Sequence, residues 1–421
     1  MRGGRATIPV PPRLLALVAV VALVATACSS GKGASGTAAT AGAKRAAGAP
    51  VVVGFVNQEN APPGSFPELR LGVQAAVRYV NEELGGVGGR PVQLASCATA
   101  GTPESSQACA NQLLPRSPVA VIGGVDFGAD TSLPIYERSA LPYVGASPTV
   151  DAELTSSDAF MLTGGAPAEL LGEASYLTDT VHAHRVSVLY VDLPGLLSSA
   201  AQIAGQILKK KGVADTKLVP EKADAPDLTP AVTTANGGNP DAIATVFPAQ
   251  GCSRVMHAKA ALGVKARMVY LGACLERPVL AAGGAGAEDA VFATSLLPYD
   301  GADPDVATYR TKMRQYGRAA ADASLSELAQ TGFAVLVDLV RVLTEAGARG
   351  PLTPATVTAQ LKATRDHPGF MSHPFTCDGK QVSLVPAVCN PWVRLLQYHR
   401  GRFQDLTGTW ISGGDLVKLV G

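Results

Sequence analysis

From Val51 onward the chain alternates short, β-branched apolar runs with longer segments of helical period, the signature of a parallel sheet built with crossover helices. The implied class is α/β. Val51 to Val56 reads as a buried strand, and Leu69, Val73, Ala76, Val77, Val80 and Leu84 recur at three and four on the helix that follows, which Gly85-Gly86 stops. Pro91 to Ala95, Val119 to Ile122 and Pro142 to Val144 are further strands, separated by helices around Glu104 to Leu114 and Thr131 to Ser139. Pro134 then falls in the first turn of the latter helix, where proline is tolerated. A second series begins after the loop Gly164 to Pro167, with strands near Val186 to Tyr190, Thr216 to Val219, Ala242 to Val246, Met268 to Leu271 and Ala290 to Ala293. Its best helix, Leu196 to Lys211, closes on Lys209-Lys210-Lys211-Gly212, cations at the negative helix end followed by a glycine cap. Asp303 to Ala346 is mostly helical, and after Pro374 the segments Gln381 to Val385, Trp392 to His399 and Arg402 to Gln404 read as an antiparallel hairpin region.

The N-terminus has a different character. Arg2, Arg5 and Arg13 precede an apolar core from Leu14 to Val24, which runs into Ala25-Thr26-Ala27 and Cys28. This is the layout of a signal peptide over residues 1–27, with an apolar core shorter than the roughly 20 residues a spanning helix needs. Two processing readings stay open. In one the stretch resembles a bacterial lipobox, with Ala25 where leucine is usual, and acyl chains on Cys28 hold the protein on the membrane; in the other Ala25-Thr26-Ala27 is an ordinary cleavage site. Residues 28–49 are almost entirely small and polar, which predicts a disordered tether. The 372 residues from Pro50 to Gly421 exceed what one core organises and predict two lobes.

Cysteine usage agrees with export. Apart from Cys28 there are six: Cys97, Cys109, Cys252, Cys274, Cys377 and Cys389. An oxidising compartment turns such an even set into disulfides and leaves the odd thiol for another fate, which lipidation supplies. The six fall into three sequence-local couples, Cys97 with Cys109, Cys252 with Cys274 and Cys377 with Cys389, each able to stabilise the fold by about 3 kcal/mol.

Charge excludes some partners. With the three leader arginines set aside, 32 basic side chains face 34 acidic ones, so neither nucleic acid nor an anionic surface is favoured. Catalytic constellations are equally scarce. His182-Ala183-His184 has no third metal ligand nearby, and Gly283-Gly284-Ala285-Gly286 lacks the lysine of a phosphate-binding loop. No G-x-S-x-G elbow is present. No metal, cofactor or enzymatic activity is expected. His367 and His373, beside Pro368 and Pro374, read as surface residues of a loop.

Parallel sheets place ligands at the carboxyl ends of their strands. In this chain those stretches are Asn57 to Phe66, Gly123 to Thr131 and Gly145 to Thr149 in the first series. In the second they are Asp192 to Gly195, Phe247 to Gly251, Gly272 to Glu276 and Pro298 to Asp300. The helix preceded by Gly123 to Thr131 offers free N–H groups to an anion. Phe66, Phe127, Phe247 and Tyr299 are candidate walls of a cleft.

Gly72-Val73-Gln74-Ala75-Ala76-Val77-Arg78-Tyr79-Val80-Asn81, Gly85-Gly86-Val87-Gly88-Gly89-Arg90-Pro91-Val92, Val121-Ile122-Gly123-Gly124, Leu141-Pro142-Tyr143-Val144 and Glu153-Leu154-Thr155 occur in that order. Together they resemble the leucine/isoleucine/valine-binding group of periplasmic-binding-fold (type I) solute receptors of ABC importers, across essentially the whole chain after the leader. The resemblance implies two lobes, each a mostly parallel sheet flanked by helices, joined by three hinge crossovers. Lobe 1 would comprise residues 50–165 and 298–372, and lobe 2 residues 166–297 and 373–421. It implies a monomeric, lipid-anchored receptor on the extracytoplasmic face of a bacterial membrane. Such a receptor closes on a small polar solute, an amino acid or related compound, and delivers it to an ABC permease; a sensor feeding a signalling partner is the alternative. Family members that bind aliphatic amino acids use a serine and a threonine of the first lobe for the carboxylate and an acid of the second for the ammonium. The resemblance places Ser147 and Thr149 in the first role, with the earlier serine position near Phe127-Gly128. The acid position falls at or beside Cys274; with Cys274 in a disulfide, Glu276 must supply the charge. Pro194 stands where those members place an aromatic.

Overall fold

The computed structural model describes residues 45–59, 64–192, 196–222, 224–317 and 326–420. The expected signal peptide, Cys28 and most of the expected tether lie outside them, as does Pro194. Residues 46–48 already belong to the body: Ala46 N–H donates to the Asn81 carbonyl at 2.7 Å, and the Ala47 and Gly48 amides donate to Gly89 O. The body therefore includes residues before Pro50. None of the described helices is long and apolar enough to cross a membrane.

The first sheet contains β1 (Val51–Gln58), β2 (Val92–Thr99), β3 (Val121–Gly123), β4 (Tyr143–Gly145) and β5 (Ala159–Met161), in the order β2-β1-β3-β4-β5 and parallel throughout. The run Val51 to Val56 is almost wholly buried because helices cover both faces. Helix α1 (Pro67–Glu83) lies against α11 (Glu327–Arg349) at very close range. A Cβ on Gly72 would stand 1.9 Å from the Ala329 carbonyl oxygen, and one on Gly332 2.3 Å from the Leu69 carbonyl oxygen. Only glycine permits that backbone approach. Helices α2 (Pro103–Leu113), α3 (Ala129–Arg138), α4 (Asp151–Thr155), α10 (Pro304–Tyr316) and α12 (Pro354–Ala363) complete this lobe.

The second sheet holds β6 (Arg185–Val191), β7 (Asp215–Glu221), β8 (Ala242–Val246), β9 (Arg267–Leu271) and β10 (Val291–Thr294) as parallel strands. The antiparallel strands β11 (Trp392–His399), β12 (Arg402–Asp405) and β13 (Ile411–Ser412) finish it, giving β12-β11-β10-β9-β8-β6-β7 with β13 beside β11. Helices α5 (Gly165–Ser175), α6 (Leu196–Lys210), α7 (Thr229–Asn236), α8 (Ala249–Leu262) and α9 (Arg277–Gly283) flank it. The chain crosses between sheets three times: from β5 into α5, from β10 into α10, and from α12 into β11. These crossovers are tied together, since Met161 exchanges backbone hydrogen bonds with Ala387 and Cys389, and Leu296 bridges Ser372.

Several sequence expectations need correction. Gln381 to Val385 is not a strand: Asp378 draws the Lys380 amide and the Gln381 side chain into a turn, and Leu384 takes a left-handed φ of 72°. Strand β5 went unread because Ala159-Phe160-Met161 has no β-branched residue, unlike the equally short β3 and β4. Pro134 is the sixth residue of α3 rather than part of its first turn, because the helix starts at Ala129, whose amide donates to Asp126 O. His367 and His373 are half-buried: His367 lies over Phe375 and contacts Glu345 at 3.1 Å, and His373 stacks on Trp392 at 4.4 Å between ring centres. Disulfides join Cys97 to Cys109, Cys252 to Cys274 and Cys377 to Cys389.

Candidate functional site

Strand β1 ends in two amides that organise the first-lobe face. Asn57, fully buried, donates to Phe66 O at 2.8 Å and accepts from the Val125 amide at 3.1 Å. Gln58, equally buried, donates to Gly64 O at 2.8 Å and accepts from the Phe127 amide at 3.5 Å. A buried amide must satisfy both its donor and acceptor ends, so these two hold the β1 and β3 loops in one arrangement. Phe66 and Phe127 thereby come within 6.4 Å, ring centre to ring centre.

The anion expected at the start of α3 is the protein's own. Asp126 Oδ1 accepts from Ser106 Oγ at 2.7 Å, Thr99 Oγ1 at 3.0 Å and the Gly128 amide at 3.2 Å, while Oδ2 is buried without a partner among the described residues. Burial raises this carboxyl, and the three donors pull it back. Gly128 turns away from the strand-end face, since a Cβ there would meet Ser106 Oγ at 2.4 Å and Thr102 O at 2.6 Å.

Behind β4, Thr149 and Ser147 differ. The Thr149 hydroxyl donates to Asp126 O at 2.8 Å, and its amide donates to Glu153 Oε2 at 2.6 Å. Glu153 also accepts from Tyr143 OH at 2.7 Å and is pushed up to about 7, chiefly by burial. Thr149 is thus committed to holding the loop. Ser147, half-buried, has no side-chain hydrogen bond among the described residues, so its hydroxyl is available to a ligand.

In the second lobe the Cys252–Cys274 disulfide ties the start of α8 to the turn after β9. Cys274 is wholly buried and carries no charge. Phe247 is also core, with its ring close over Gly251. Glu276, at the N-cap of α9, forms a backbone bridge with Ser326 of the first lobe, and its Oε1 accepts from Ser326 Oγ at 3.3 Å. Its carboxyl is pushed up to about 7, first by burial and then by the negative charges of Glu68 and Glu327. Glu68 lies two residues beyond Phe66, so the aromatic pair and the acid belong to one region. Tyr299 borders it from the second crossover, its ring edge-on to Phe403 at 5.3 Å.

Two further acids meet at this boundary. Glu327 opens α11 in the first lobe, accepts from Thr331 Oγ1 at 3.0 Å and is raised to about 7 by burial. Glu169 on α5 in the second lobe accepts from the Gly272 amide at 2.9 Å and is raised well above the carboxylate range by burial and by Glu327. The partners of these two carboxyls are a side-chain hydroxyl and a backbone N–H, and burial favours their neutral form. Sequence reading included Asn57, Gln58 and Asp126 only as members of strand-end stretches, without a role for each, and passed over Glu169, Ser326 and Glu327. The amides ending β1 were a usable signal, whereas Glu169, in the second turn of α5, and Glu327, in the first turn of α11, look like ordinary helix acids.

The model of the periplasmic binding protein family matches residues 50–384. No curated protein matches the chain. Among solved structures, a leucine-binding protein from Thermotoga maritima shares 17% identity and a TM-score of 0.69 over 87% of this chain and 99% of its own. A branched-chain amino acid ABC transporter protein from Thermus thermophilus with bound valine shares 15% identity and a TM-score of 0.75, covering 88% and 98%. A fatty acid ABC transporter substrate-binding protein from Thermomonospora curvata shares 14% identity and a TM-score of 0.74, covering 89% and 96%. At these identities the likeness is one of fold.

Proposed function

Because the chain belongs to the periplasmic binding protein family, we propose that it captures a small polar solute, an amino acid or related compound with a cationic nitrogen, between its two lobes and hands it to an ABC permease. The family binds solutes outside the cytoplasm and does not catalyse reactions on them. The observation that carries the finer reading is the Glu276 carboxylate, held at the lobe boundary against Ser326 with Glu68 and Glu327 close by. A charged nitrogen leaving water needs such a partner, and Cys274 at the neighbouring position has no charge to offer. Ser147 supplies a hydroxyl for the other end of the solute, and Phe66 with Phe127 supplies an aromatic border. Lobe closure then follows from the solute's preference for contacts on both sides. Acylation of Cys28 would keep the receptor beside its permease.

Isothermal titration of the purified protein against amino acids, amides, polyamines, sugars and aromatic acids tests the solute class. Binding of at least one amino-bearing compound is expected, with loss on Glu276→Gln; binding confined to sugars or aromatic acids would overturn it. Mass spectrometry of the mature N-terminus tests the anchor, and an unmodified Cys28 would remove it.

A further inference from the structure

A concavity between the two lobes contains none of the residues just assigned. It encloses about 370 Å³ between α4 of the first lobe, α5 and α6 of the second, the third crossover and the C-terminal turn. Its walls are apolar: Leu154, Leu171, Ile203, Val385, Val388 and Val417. Three polar side chains, Asp151, Ser199 and Gln206, complete the lining. That is the make-up of a small-molecule site, at the lower end of the usual volume range, with apolar walls and a few orienting groups.

We propose that this cavity is a second binding site, for a small aliphatic amphiphile with an amine or hydroxyl head. Two observations set the class. Asp151 is the one charged side chain in the lining, is exposed and makes no ion pair among the described residues, so it favours an ammonium or hydroxyl head and repels a carboxylate. The rim carries two large apolar side chains left open to water, Leu384 at 65% and Ile203 at 38% exposure. Leu384 is held there in the left-handed region, where a branched residue is strained unless its surroundings impose the conformation. An alkyl chain in the cavity covers both. The site goes beyond the solute reading above and does not depend on it.

The test is titration calorimetry of the purified protein with octylamine, 1-octanol and octanoate below their aggregation concentrations. Octylamine and octanol are expected to bind, octanoate at least tenfold more weakly. Ile203→Trp, at a rim position that tolerates bulk, fills the mouth and weakens octylamine and octanol at least tenfold; Gln206→Trp, on the exposed side of α6, does the same should the first variant fold poorly. Asp151→Asn weakens octylamine at least fivefold relative to octanol, and Glu276→Gln leaves octylamine within twofold. Failure of octylamine and octanol to bind would overturn the proposal, as would equal affinity for octanoate, indifference to both tryptophan variants, an unchanged amine preference in Asp151→Asn, or loss of octylamine in Glu276→Gln.

Discussion

Ser326 Oγ, capping the first turn of α11 in one lobe, donates to Glu276 Oε1, at the cap of α9 in the other, across 3.3 Å. The acid is thereby oriented by the opposite lobe. If Glu276 anchors a cationic nitrogen, Glu276→Gln removes the charge while keeping the shape and the bond to Ser326. Truncating one side of a buried charge pair costs about 2–5 kcal/mol, so solute affinity should fall by roughly 30-fold or more. Calorimetry on the two proteins measures this, and unchanged affinity would discard the anchor.

The same carboxyl makes binding depend on pH. Burial, Glu68 and Glu327 push Glu276 up to about 7, so it is largely protonated at pH 5.5 and largely ionised at pH 8.5. Only the ionised form pairs with an ammonium, so affinity should rise with pH through about 7 and level off above it, with roughly tenfold change per unit on the acidic side. A flat profile between pH 5.5 and 8.5 would contradict the role.

Stability should run in the opposite direction. Glu153, Glu327 and Asp338 are each raised to about 7 by burial, and Glu173, whose two oxygens have no partner among the described residues, is raised well above its ordinary value. Between about pH 4.5 and 7 the folded protein therefore binds more protons than the unfolded chain, and linkage makes stability fall as pH rises through that window. Thermal unfolding without solute should show a Tm several degrees higher at pH 5 than at pH 8. A higher Tm at pH 8 would mean that these carboxyls ionise in place.

The crossing of α1 and α11 predicts a sharp asymmetry among glycines. Gly72→Ala would drive a methyl group to 1.9 Å from the Ala329 carbonyl, forcing the helices apart. A loss of about 3 kcal/mol or more is expected from the displaced packing. Gly88→Ala, at φ 58° with open space around it, should cost only about 1–2 kcal/mol. Urea midpoints of the two variants decide the matter.

The Cys252–Cys274 disulfide should matter for both stability and binding. Replacing both cysteines by serine releases a 22-residue separation and should cost about 3 kcal/mol. Because Cys274 is two residues from Glu276, solute affinity should also fall, whereas the corresponding change at Cys97 and Cys109 should spare it. Urea unfolding and calorimetry separate the two effects.

Much of the architecture was legible in the chain itself. The strands from Val51, Val186 and Ala242 announce themselves because a sheet covered on both faces selects continuous apolar β-branched runs. Helices such as α1 show the spacing of one buried stripe. Where local signals were weak, reading failed. Ala159–Met161 is short and lacks β-branched residues, and Gln381 to Val385 has strand composition but is bent by Asp378 and enclosed by the Cys377–Cys389 loop.

The site was legible only in outline. Sequence determined that loops follow the strands and that Ser147 and Glu276 sit in two of them. Tertiary structure decided which of those residues are free: Thr149 is drawn to Asp126 and Glu153, Gly128 faces α2, and Phe247 is buried core, while Ser147 keeps an open hydroxyl. It also brought Glu169, Glu276 and Glu327 together from positions up to 158 residues apart. The reason is physical. Periodicity and composition record how each segment meets its own covering layer, whereas the charge of a carboxyl and the availability of a hydroxyl depend on neighbours that only the folded lobes supply.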